Sequence, residues 1–139
     1  MKVNFEITDF QFLHFAEKQI DLHNNFDFVG LEYNVAGREI VMNWEKTSGD
    51  WVNESDFSSL KLVHKKVTFF NVVGQEAGSS LTDDTCLGEI TFFPSNEREL
   101  IAGLMSYSKP NEGDDIKYFF ENGQCIIIHC EEIELTNFQ

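Results

Sequence analysis

The chain has 139 residues, 42% hydrophobic and 24% charged, and its ten basic against twenty-four acidic side chains leave a formal net charge of −14. That is one domain's length with enough apolar material for a core, so disorder is excluded as the main state. Cations are too few to displace counterions from a nucleic acid, an anionic membrane would repel the chain, and no apolar run reaches the roughly 20 residues that span a bilayer.

Val3, Phe5 and Ile7 alternate with polar neighbours and predict a first strand. Over residues 9–25 the spacing of Phe12, Phe15, Ala16, Gln19, Ile20 and His23 favours a helix capped by Asp9, with an extended alternative through Phe10 and Phe12. Phe26 and Phe28 share one parity and Leu31, Tyr33 and Val35 the other, which predicts a bulge at Val29-Gly30. A turn over 34–37 leads to Ile40, Met42 and Trp44, the second half of a hairpin. Residues 46–58 read as a loop. Leu60, Leu62, Val67, Phe69, Phe70, Val72 and Val73 give one or two strands, and 74–84 a second loop. Cys86 to Phe93 is a strand stopped by Pro94. Asn96 and Glu99 have capping-box spacing ahead of a short helix carrying Leu100, Ile101, Leu104 and Met105. Ile116–Glu121 and Gln124–Cys130 flank Asn122-Gly123, the signal of a type I′ hairpin. Ile133 and Leu135 alternate in a last strand. The expected fold is a single mainly β domain over 1–139: an antiparallel sandwich or curled sheet of seven to eight strands with one or two short helices.

The residues point to no catalytic, cofactor-binding or metal-binding set. Cys125 and His129 would stand roughly 13 Å apart along a strand, too far for one zinc ion, and Cys130 would point to the other face. A thiol nucleophile would need Cys86, Cys125 or Cys130 beside His14, His23, His64 or His129, and no local signature pairs them. Gly78-Ser79-Ser80 is not a nucleophile elbow, and no phosphate-binding glycine motif is present. The acidic pairs Asp83-Asp84 and Asp114-Asp115 read as loop acids, while Glu131-Glu132 would split across a strand. Three cysteines, an odd and low number, and a polar–apolar start without a signal-peptide core suggest a reducing, cytoplasmic setting.

What stands out is acid. Residues 1–70 carry seven basic and eleven acidic groups, net −4, and residues 71–139 carry three and thirteen, net −10. In the loop after Trp44, aromatic residues sit among carboxylates: Asp50, Trp51, Glu54, Asp56 and Phe57. An aromatic anchor ringed by acids suits a basic protein partner, and Asp50, Trp51, Glu54, Asp56, Asp83 and Asp84 are the candidate contact residues. The bland alternative is a lid folded on the core. A small-ligand binder or enzyme using a Phe-lined pocket, and a homo-oligomer with its aromatic surplus at the interface, are the competing readings.

The terminal run Phe119-Phe120-Glu121-Asn122-Gly123-Gln124-Cys125-Ile126-Ile127-Ile128, followed by 131–135, resembles the closing hairpin of small acidic bacterial proteins of uncharacterised families, some classed as immunity proteins of polymorphic toxin systems. Leu60-Lys61-Leu62 running into Val67 is similar to their middle strands. The resemblance implies a partner-blocking role, an acidic surface laid over a toxin's basic active site, and transfers no functional residue.

Overall fold

The computed structural model describes residues 1–47, 57–74 and 85–138. Twelve strands form three sheets among them, and the mainly β expectation holds, with more and shorter strands than the seven to eight read from alternation. A five-stranded sheet contains β1 (Lys2–Val3), β12 (Glu132–Phe138), β7 (Ser59–Lys65), β6 (Glu39–Lys46) and β5 (Phe26–Asn34), in that order. A four-stranded sheet contains β8 (Phe69–Val73), β11 (Cys125–His129), β10 (Asp114–Phe120) and β9 (Leu87–Pro94). The third joins β2 (Glu6–Thr8), β3 (Phe12–Phe15) and β4 (Lys18–Asp21). Only β1 against β12 is parallel among these pairs.

The first predicted strand is cut in two. The Asn4 side chain donates to the Leu135 carbonyl at 3.1 Å and accepts the Leu135 N–H at 2.8 Å, imitating a backbone pair. Beyond it the chain leaves β12 and starts the three-stranded sheet. There the helix expected over 9–25 is corrected to two hairpins. Asp9 and Phe10 both take positive φ (50° and 59°), as do Ala16 and Glu17 (50° and 63°), so two consecutive left-handed residues turn the chain in each hairpin, within a three-residue connection ending at Gln11 in the first and a two-residue one in the second. Ile7, Leu13 and Ile20 lie in one cross-strand row and are all buried, which ties the row to the core.

The two larger sheets face each other as a sandwich. Trp44 meets Tyr118 across the gap with ring centroids 6.0 Å apart, and Phe28 meets Phe120 at 5.0 Å. The predicted bulge appears as a register shift between Phe28 and Gly30 that returns Leu31 and Tyr33 to the inner side. Between β7 and β8 the chain changes sheets at Lys66, which has φ +56°. His64 is fully buried in the seam: Ile40's carbonyl lies 3.0 Å from Nδ1, which therefore donates, and the Tyr118 hydroxyl donates to Nε2 at 2.7 Å. Burial pushes the His64 pKa down to about 4.

Two further expectations change. The hairpin of β10 and β11 is where Asn122-Gly123 between two apolar runs places it, but its turn is not type I′. Only Gly123 has positive φ (+86°), Gly123 N–H closes on the Phe120 carbonyl at 3.0 Å, and Asn122 Oδ1 accepts the Gln124 N–H at 2.9 Å. The short helix after Pro94 shrinks to one 3₁₀ turn, Ser95–Glu97, with no side-chain cap. Among the described residues no helix is long and apolar enough to cross a membrane.

Candidate functional site

The outer face of the five-stranded sheet follows from the register. Ile40, Met42 and Trp44 point into the core, so Glu39, Val41, Asn43 and Glu45 point away from it. Across β5 the same face carries Asp27, Glu32 and Asn34, across β7 Lys61, Val63 and Lys65, and across β12 Glu132, Glu134 and Thr136. Lys2 joins it beside Glu132. Six carboxylates thus share the face with three lysines, and the cations sit at one side of it. Lys65 is held between Glu134 at 2.7 Å and Glu132 at 3.4 Å, which raises its pKa. Asp27, Glu32, Glu39 and Glu45, on β5 and β6, have no ion-pair partner among the described residues. At the bulge this half opens into a concavity of about 470 Å³ lined by Val29, Gly30, Glu32, Asn43, Glu45 and Lys61. Val29 is among the exposed large hydrophobic residues and stands at its rim.

The outer face of the four-stranded sheet is closed instead. Residues 95–108 run across it as a strap. The buried Asp115 carboxylate takes a two-pronged hydrogen bond from Arg98 at 2.7 and 2.9 Å, and His129 Nδ1 donates to its Oδ1 at 2.8 Å. Arg98 lies 3.8 Å over the Phe69 ring. Lys117, also buried, donates to the carbonyls of Gly103 at 2.8 Å and Leu100 at 3.1 Å while resting 3.8 Å over Phe93. Burial lowers its pKa. Thr91 Oγ1 accepts the Met105 N–H at 3.0 Å. A Cβ on Gly103 would come within 2.3 Å of the Phe93 ring, so that strap position requires glycine. Asp115 and His129 have the pairing of a general base and its orienter, but the same carboxylate is spent on Arg98; the arrangement works as a clamp. The reading of Asp114-Asp115 as loop acids is therefore corrected: both are buried at the start of β10.

The cysteines separate into two classes. Cys125 and Cys130 are buried, and burial pushes their thiols up to about 11 and about 12, which disfavours thiolate. Cys86 is half-buried, and its Sγ lies 3.7 Å from His23 Nδ1. Glu121 Oε1 lies 3.7 Å from the same nitrogen, and the three donor atoms fall within 4.8 Å of one another. His23 and Cys86 are 63 residues apart, and no local spacing announces their meeting.

The candidate contact residues Asp50, Trp51, Glu54, Asp56, Asp83 and Asp84 lie outside the described residues. The first four belong to the β6–β7 connection and the last two to the β8–β9 connection. Phe57, at the end of the first, is buried against Phe15 with centroids 6.4 Å apart. The acidic face of β5 and β6 was missed as a unit because it requires register, although Glu39 and Glu45 were legible as the polar side of an alternating strand. Comparison of the chain with protein-family models, with curated proteins and with solved structures finds no match.

Proposed function

We propose that this protein is a non-catalytic, cytoplasmic binding module that presents the open face of its five-stranded sheet to a basic protein, in the manner of an immunity protein covering a toxin. One observation carries the reading: Asp27, Glu32, Glu39 and Glu45 share a face with no ion-pair partner among the described residues, in a chain of net charge −14. Carboxylates left uncompensated on a pleated surface repel one another, and a cationic partner relieves that repulsion. The concavity at the Gly30 bulge carries Glu32 and Glu45 on its walls, with Lys61 at its β7 side, and offers the carboxylates to one long basic side chain.

The competing small-ligand reading needs phenylalanines around a pocket. Phe28 instead packs on Phe120 and Trp44 at 5.0 and 5.2 Å, and Phe5 on Phe92 at 6.2 Å. Phe5, Phe26, Phe57, Phe92, Phe93 and Phe120 are buried, which favours the surface over an interior cavity as the working part.

Affinity capture from native lysate at low and high salt tests the proposal. The expected result is one stoichiometric basic protein, retained at low salt and weakened at high salt. A partner of acidic or neutral charge, retained equally at both, would contradict it.

A further inference from the structure

Away from the acidic face, a second cluster brings together nitrogen, sulfur and oxygen donors from three chain segments. His23 sits in the turn after β4, Cys86 just before β9, and Glu121 just after β10. Each is fixed by its backbone. Asp21 Oδ1 accepts the N–H groups of His23 at 3.1 Å and Asn24 at 3.0 Å, locking the turn. Glu121 N–H donates to the Cys86 carbonyl at 2.9 Å. The Glu121 carboxylate lies over Gly88, where a Cβ would come within 3.2 Å of Oε1, so the missing side chain leaves room for it.

We propose that His23, Cys86 and Glu121 form a binding site for a zinc-class divalent cation. Two of the three donor separations fit, and the third, Cys86 Sγ to Glu121 Oε1, lies within 4.8 Å and closes by rotation of the exposed Glu121 side chain. Bonds of about 2.0–2.3 Å at tetrahedral angles require donors about 3.4–3.6 Å apart. Both measured separations from Nδ1, to Sγ and to Oε1, are 3.7 Å. Imidazole, thiolate and carboxylate together suit a borderline cation and not magnesium or calcium, which take oxygen ligands. Without metal, His23 Nδ1–H donates to the Leu87 carbonyl at 2.7 Å. On binding, the thiol proton passes to solvent, the imidazole proton moves from Nδ1 to Nε2, and the ring turns from the Leu87 carbonyl toward the cation. His23 has 31% of its side chain exposed and can make that movement. The cluster joins the three-stranded sheet to the β9 and β10 ends of the sandwich, so the metal would act as a staple between them.

The test uses cobalt(II) as a spectroscopic stand-in for zinc, added to the reduced full chain in excess magnesium to occupy the surface acids. The expected result is one cobalt per chain with a thiolate-to-metal charge-transfer band, displaced by zinc. Cys86→Ser should abolish the band. Glu121→Gln, at an exposed position, should leave the fold intact and weaken binding by at least about tenfold, since even outer-shell losses cost about 10–100-fold. As a second readout, zinc should slow the reaction of Cys86 with a thiol reagent, because Cys125 and Cys130 are buried. No charge-transfer band in the wild type, or cobalt and zinc binding that ignores both substitutions, would overturn the site.

Discussion

The four-stranded sheet hides its outer face and the five-stranded sheet shows it: β10 and β11 are buried on both faces, whereas β6 and β7 alternate buried with partly or fully exposed positions. Over the first, residues 95–108 are pinned by Asp115, Lys117 and Thr91, three polar groups buried under their own strap. Across β5 and β6 of the second stand four carboxylates with no described ion-pair partner. The contrast shows how the chain spends its charges. Where a charge is buried it is satisfied inside the molecule and acts in stability; where it is left on an open face it is available to another molecule.

Four changes break or sharpen this contrast. Asp115→Ala should have the largest effect, destabilising by about 2–4 kcal/mol, somewhat under a fully buried pair because Arg98 can reach water. Denaturant unfolding measures the loss, and limited proteolysis should cut the freed strap. Acid comes next and acts on the seam between the sheets. Unfolded His64 protonates at its ordinary 6.5, while the buried ring resists until about 4. Its contribution is therefore complete above pH 6.5 and is lost as pH falls toward 4, about 3 kcal/mol in all. A His64 titration followed by NMR, alongside unfolding at both pH values, checks the sign. Gly103→Ala should cost about 1–3 kcal/mol through overpacking on Phe93; a thermal melt reads it. Glu32→Lys with Glu45→Lys should change stability by no more than about 0.5 kcal/mol, since neither pairs within the described chain. The same melts would show it, and a large loss would mean that the open face is structural after all.

Much of the fold was legible where alternation is long and turns are marked. β5 with its bulge, β6 and β12 follow the period of two, while β9 and the β10–β11 hairpin are mostly buried on both faces and are marked by Pro94 and by Asn122-Gly123. The three-stranded sheet was not, because its turns are Asp9-Phe10 and Ala16-Glu17, with neither glycine nor asparagine to mark the left-handed residues. Its strands of three or four residues are too short to outweigh an accidental helical spacing. The helix after Pro94 fails for a different reason: the Leu100 carbonyl accepts from Gly103 N–H at 2.9 Å and from Lys117 Nζ, a contact 17 residues away. The acidic character of the surface was plain from composition, but its concentration on β5 and β6 depends on strand register. The meeting of His23, Cys86 and Glu121 depends on the packing of three separate segments.

The most direct test of the open-face account is the association rate of the captured partner with the wild-type protein and with the Glu32→Lys/Glu45→Lys variant, measured by stopped flow over a range of salt. The account predicts a fast, steeply salt-dependent rate for the wild type and a slower, flatter one for the variant. Equal rates with equal salt dependence would place the contact elsewhere on the molecule and contradict the role given to this face.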